Sequence, residues 1–184
     1  GILGQLGREL RRLSIEKCPD SILFMNIHPD EFDEGWLVRP DDPLVMHDQS
    51  VYLEITESVP LSHYRYCHSV LKEIRNRGVK IAVDDLGAGY SNLKYISDLQ
   101  PEVVKLDREL VSGLSPGSRQ FKLVKSIVAL CRVQGAKVVA EGIETANELR
   151  AVMASGAHYA QGFFLARPAR EPPQRDWAAL LSSL

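Results

Sequence analysis

Short apolar runs that end on a polar or charged side chain recur along this chain of 184 residues. Ile22-Leu23-Phe24-Met25 closes on Asn26, and Val51-Tyr52-Leu53 closes on Glu54, with Glu57 just beyond. Ile81-Ala82-Val83 runs into Asp84-Asp85, and Val103-Val104 leads to Lys105-Leu106-Asp107. Lys137-Val138-Val139-Ala140 ends at Glu141, and a last strand over 158–164 carries His158-Tyr159-Ala160 up to Gln161, before Gly162-Phe163-Phe164. Runs this short and this apolar suit strands buried on both faces of a parallel sheet. Between most of them the apolar positions take helical spacing. Ile2, Leu3, Leu6, Leu10 and Leu13 predict an opening helix over 2–13. Tyr66, Val70, Leu71 and Ile74 predict one over 62–76, stopped by Gly78; Phe121, Val124, Ile127, Val128 and Cys131 predict another over 120–134, with Gly135 as its cap. Thr145-Ala146-Asn147-Glu148 is a capping box opening a helix that ends near Gly156. Shorter helices are expected over 92–98 and 177–184. Residues 28–49, with their scattered prolines and acids, read as an irregular connection with helical turns.

This alternation is a succession of βα units, the pattern of an α/β protein of the TIM-like (β/α) barrel class. In such a barrel the reactive groups sit at the C-terminal ends of the strands and converge on one face. The six strand ends therefore predict one site. A closed barrel has eight strands in ~250 residues. With six legible, the chain is expected to be a single domain over 1–184, incomplete at its N-terminus, with a gap where the first strands belong.

The densest chemistry lies in Lys80–Leu93. Adjacent carboxylates at the end of a buried strand need a counter-charge, which a divalent cation supplies. Gly87 and Gly89 let the following backbone turn or approach a ligand closely. Alone, the stretch also fits a surface Asp-Asp turn with a glycine hinge; the recurring polar strand ends favour a site. Composition narrows the picture further. A net charge of -2 gives no basic field for long nucleic acid. Cys18, Cys67 and Cys131 are scattered and make neither a disulfide framework nor a zinc site. The five histidines show no metal-ligand spacing. No run is apolar enough to span a membrane and no signal peptide is visible, so the cytoplasm is the expected compartment.

Five segments in register resemble the EAL-domain family of cyclic di-GMP phosphodiesterases. They are Leu53-Glu54-Ile55-Thr56-Glu57-Ser58, Asp84-Asp85-Leu86-Gly87-Ala88-Gly89-Tyr90-Ser91, Val104-Lys105-Leu106-Asp107, Val139-Ala140-Glu141-Gly142-Ile143-Glu144-Thr145 and Gln161-Gly162-Phe163-Phe164. The Asn26 segment matches more loosely. The resemblance implies a modified β/α barrel that hydrolyses cyclic di-GMP to pGpG with two Mg²⁺ or Mn²⁺ ions. It implies Asn26, Glu54, Asp84 and Asp85 as metal ligands, Lys105 and Glu141 around the attacking water, and Asp107 as a further carboxylate there. It puts Gln161 at the site's edge and makes Glu57 and Glu144 supports for the loop after Asp85 and the neighbouring strand end. It also suggests a homodimer and an upstream sensory or GGDEF-type domain. The chain departs from the family in two places. No Glu-Ala-Leu triplet occurs, and residues 1–21 hold no strand ending in Glu, so one metal ligand of the family is without a counterpart. A fragment or a truncated member is expected on that ground. Leu86 stands where the family usually has Phe. The alternatives are a catalytically impaired domain that acts as a cyclic di-GMP receptor and a protein-interaction module. Without the resemblance, a metal-dependent lyase or aldolase also fits, since a barrel alone does not choose a reaction.

Overall fold

The computed structural model describes residues 2–28, 30–33, 35–56, 68–88, 93–169 and 175–182. Helix α1 (Ile2–Lys17) is followed by β1 (Leu23–Asn26), α2 (Asp30–Asp33) and two 3₁₀ turns, Trp36–Val38 and Pro43–Met46. Then come β2 (Val51–Thr56), α3 (His68–Asn76), β3 (Lys80–Leu86), α4 (Lys94–Leu99), β4 (Val103–Leu106), α5 (Arg108–Val111) and α6 (Arg119–Val133). β5 (Lys137–Ala140), α7 (Ala146–Ser155), β6 (Tyr159–Ala160) and α8 (Trp177–Ser182) complete the order. Within each compact unit the strands lie in chain order, β1-β2-β3 in one and β4-β5-β6 in the other, as successive βα units require. The last strand is shorter than the sequence suggests: Gln161 N–H still donates to Ala140 O, but Gly162 to Phe164 leave the ladder for turns because Gly162 must approach another loop.

The chain forms two compact units, Gly1–Asp84 with Asn92–Glu102, and Asp85–Ser91 with Val103–Leu184. In the first, β1 pairs with β2 and β2 with β3, all parallel. Met25, Leu53, Ile55, Ile81 and Val83 from these strands are buried with Leu71 and Ile74 of α3 and with Phe32, Leu37 and Leu44 of the connection. The apolar stripe of α1 does not join this core. Ile2, Leu3, Leu6, Leu10 and Leu13 are exposed, and the buried positions of α1 are Gly4 and Arg11. Arg11 donates to Asp42 through Nε and Nη2 and to Glu31 through Nη1, and all three side chains are almost wholly buried. Glu31 also accepts from the His28 backbone and Asp42 from that of Leu44. A charged cluster of this kind holds only when its hydrogen bonds are met, and here it fixes the connection that follows Asn26.

In the second unit, β4, β5 and β6 pair parallel. Helix α6 packs on β5 and α7 and buries Val124, Ile127, Val128 and Cys131 on its inner side. Burial in this apolar setting pushes the Cys131 thiol up to about 11, so it stays protonated and inert. The expected capping box at Thr145 and the left-handed Gly156 at the end of α7 are present, and the left-handed Gly135 follows Gln134, the C-terminal cap of α6; Ser118 caps the start of α6 without having been expected.

Candidate active site

Register decides which strand-end side chains share a face, because paired residues of parallel strands point the same way and so do residues two apart. In the first unit Asn26 pairs with Glu54, and Glu54 pairs with Ala82, two residues before Asp84. Asn26, Glu54 and Asp84 therefore occupy one face at the C-terminal ends of their strands. Glu54 and Asp84 are nearly buried, at 5% and 7% exposure. In the second unit Lys105 pairs with Val139 and Val139 with Tyr159. Glu141 and Gln161 lie two residues beyond those partners, so Lys105, Glu141 and Gln161 share a face as well. The Lys105 ammonium lies 3.0 Å from Glu141 Oε1, an ion pair without hydrogen-bond directionality, with both side chains largely withdrawn from solvent.

Asp84 and Asp85 pose a geometric difficulty, since neighbours in a strand point to opposite faces. The backbone resolves it. Asp85 has φ +56, in the left-handed region that Asp tolerates better than most residues. This turn breaks the pleat and leaves one carboxylate oxygen of Asp85 within 4.8 Å of one on Glu141. Asp84, one peptide bond earlier, closes the part of β3 that belongs to the first unit. Ala88 N–H then closes a turn on the Asp85 carbonyl. Gly87 follows with φ +111, and a Cβ there would stand 2.4 Å from a methyl of Leu110, so both conformation and space demand glycine.

The same unit holds a cavity of about 220 Å³ lined by Asp107, Arg108, Glu141, Glu144, Gln161 and Phe163, among others. Asp107 caps α5, accepting from Glu109 N–H at 2.7 Å. Arg108 pairs with Glu144 at 3.0 Å on the rim. The Arg167 guanidinium lies over the Phe163 ring, 4.5 Å from its centroid. Ile143 N–H donates to Gln161 O and Phe164 N–H to Ile143 O, zipping the two loops together. A Cβ on Gly162 would meet the Ile143 backbone at 2.2 Å, which is why the chain leaves β6 there with a glycine. Glu57 and Gly89 lie outside the described residues. Sequence reasoning missed Arg108 and Phe163 as cavity walls; their one signal is position, directly after a polar strand end.

The family described as EAL domain matches residues 2–168. The chain belongs to the EAL-domain family. Its fold is that family's α/β, TIM-like barrel type. The cyclic di-GMP phosphodiesterase PA2567 of Pseudomonas aeruginosa is 38% identical over 125 residues, 68% of this chain and 21% of that protein. The EAL domain of Mycobacterium smegmatis DcpA is similar at a TM-score of 0.80 and 29% identity, covering 91% of this chain and 81% of that one. Klebsiella pneumoniae BlrP1, in its complex with calcium and cyclic di-GMP, gives a TM-score of 0.78 at 30% identity, covering 92% of this chain and 46% of that one. This EAL domain spans between 14% and 29% of the length of the curated relatives it matches. Among its described residues no helix is long and apolar enough to cross a membrane.

Proposed function

We propose that this EAL domain is a metal-dependent phosphodiesterase that hydrolyses cyclic di-GMP to pGpG. The observation that carries the reading is the approach of the Asp85 and Glu141 carboxylates at strand ends, bought with an unfavourable backbone conformation at Asp85. Asn26, Glu54, Asp84 and Asp85 offer only oxygen donors, the set that suits a hard divalent ion such as Mg²⁺ or Mn²⁺. Such ions would supply Lewis acidity, lowering the pKa of a bound water and stabilising the leaving oxygen.

The chain's own groups do the rest. Glu141, held by Lys105, is placed to orient the attacking water and take its proton. Lys105 sets a positive charge where negative charge grows on the phosphoryl oxygens. Asp107 presents a further carboxylate, with one oxygen already engaged as a helix cap. Gln161 and Phe163 wall a cavity suited to part of the nucleotide, and Glu144 braces Arg108 on its rim. Water adds to phosphorus, one bridging P–O bond breaks, and the released 3′ oxygen takes a proton. Glu57, Gly87 and Gly89 serve the loop after Asp85. A cytoplasmic setting, a homodimer and a linked sensory or GGDEF-type domain belong to the same proposal.

Chromatography of nucleotide products tests it. The full-length protein with Mn²⁺ or Mg²⁺ should convert cyclic di-GMP to pGpG, and chelation should stop it. Tight binding without product would put the protein among receptors; neither binding nor product would leave an interaction module.

A further inference from the structure

Glu148 sits in the first turn of α7 and does not line the cavity, yet its side chain is buried. Its carboxylate accepts three backbone N–H groups. Oε1 takes Gly113 at 2.8 Å, and Oε2 takes Glu144 at 2.8 Å and Thr145 at 2.9 Å. A capping-box glutamate needs only the last of these. The Glu144 amide belongs to the loop that follows Glu141. The Gly113 amide belongs to the turn after α5, the helix that Asp107 caps and Arg108 begins. One buried carboxylate thus joins the loop after Glu141, which walls the cavity, to the turn that closes α5, whose first residues wall it from the other side.

At the base of the Glu141 loop, Glu141 N–H donates to Leu106 O and the Lys105 ammonium pairs with the Glu141 carboxylate; farther along, the Arg108–Glu144 pair is a second tie across the cavity. Its side chains are 59% and 43% exposed, and ion pairs in such settings contribute little. Hydrogen bonds to a buried ionised acceptor are worth roughly twice neutral ones. Burial alone pushes the Glu148 carboxyl up, but the Gly113, Glu144 and Thr145 amides and the Thr145 hydroxyl outweigh it and hold the group below its ordinary value. The carboxylate is therefore charged at neutral pH, as this tie requires.

We infer that Glu148 is a positioning residue, which holds the loop that follows Glu141 against the turn that closes α5 and so, together with Lys105 and the Leu106 carbonyl, fixes the seat of Glu141 and the width of the cavity. Its catalytic consequence rests on the phosphodiesterase reading; the tie itself does not.

The test compares the full-length protein with its Glu148→Gln and Thr145→Ala variants. Gln keeps the size of the side chain but has one acceptor oxygen and cannot serve Gly113 and Glu144 together. Thr145→Ala removes the hydroxyl that caps α7 and leaves the carboxylate's grip on both loops. Both variants should melt earlier than wild type. Glu148→Gln should lower kcat about tenfold or more with KM nearly unchanged, as loss of a supporting contact does, while Thr145→Ala should keep kcat within about twofold. Amide exchange, read without turnover, should speed at least ~10-fold at Gly113 and Glu144 in Glu148→Gln alone. Equal kcat losses in the two variants, or Gly113 exchange unchanged in Glu148→Gln, would overturn the inference. Should Glu148→Gln fail to fold, Glu148→Asp, charged but one methylene short, must show the same kcat loss and the same exchange. An inactive wild type would end the phosphodiesterase reading only, and exchange would still decide the tie.

Discussion

Asp85 is where this domain departs most from ordinary strand geometry. Its left-handed backbone costs energy for any residue with a Cβ, on the order of 1–3 kcal/mol at its worst and less for Asp. Glycine would relieve the strain and the crowding of negative charge, against a loss of about 0.5–1 kcal/mol from its greater freedom when unfolded. Asp85→Gly should therefore melt close to wild type yet lose Mn²⁺ binding and turnover. A variant that is strongly destabilised but still active would show Asp85 to be structural. Asp84→Asn should nearly abolish hydrolysis, since a neutral amide would hold a divalent cation far less well than a carboxylate. Lys105→Ala and Glu141→Ala should lower kcat more than they raise KM, because both act on the water and on charge that develops in the transition state. Steady-state kinetics on purified variants separates the two; a pure KM effect would reassign them to binding. The pair Asp84-Asp85 was plain in the sequence. How two neighbours reach one place was not, because strand alternation sends them apart, and a single dihedral angle overrides it.

At the scale of elements, the strand ends were legible because a buried strand tolerates a polar side chain only where it can reach solvent, a partner or an ion. The length of β6 was not, since Gly162 leaves the ladder to meet a loop nearly twenty residues upstream in the chain. The capping box at Thr145 was visible, but its tie to Gly113 joins residues 35 apart and has no local signature. His158 carries a pH dependence of the same hidden kind. Its Nδ1 accepts from Val138 N–H at 3.0 Å while its backbone N–H donates to Val138 O, so it bridges the starts of β5 and β6. The residue is exposed, but partial desolvation of the ring, then the charges of Arg132 and Lys137, hold its pKa below the ordinary 6.5. The fold therefore favours the neutral ring. That contribution is full above the unfolded pKa and is lost as pH falls through the folded one. The melting temperature should drop as pH is lowered below 6.5, and His158→Gln should flatten that part of the curve. Parallel curves for the two proteins would remove His158 from the account. Glu148, whose folded pKa is depressed below 4.5, should add a second loss on further acidification, again as pH falls through its folded value.

For the molecule as a whole, fold class followed from periodicity, while the side of α1 that faces the protein did not. Its leucines point to solvent and Arg11 points inward, because Arg11 finds Glu31 and Asp42 at separations of 20 and 31 residues that no local pattern encodes. Charge placement also sets how the molecule should respond to metal. The Asp85 and Glu141 carboxylates lie within 4.8 Å, with Lys105 beside Glu141 as one counter-charge, and a divalent cation would add a second. An ion that binds the folded form alone stabilises it by about 2.7 kcal/mol at a hundredfold excess over its Kd. For a chain of this size that corresponds to roughly 5–10 °C in Tm. Mn²⁺ should therefore raise the melting temperature and chelation should reverse the rise. Asp84→Asn should respond to Mn²⁺ far less than wild type. Scanning calorimetry of both proteins with and without Mn²⁺ checks this independently of any substrate. If both proteins shift equally, the ion binds elsewhere; if neither shifts, these carboxylates are not a metal centre, and the proposed hydrolysis loses its foundation.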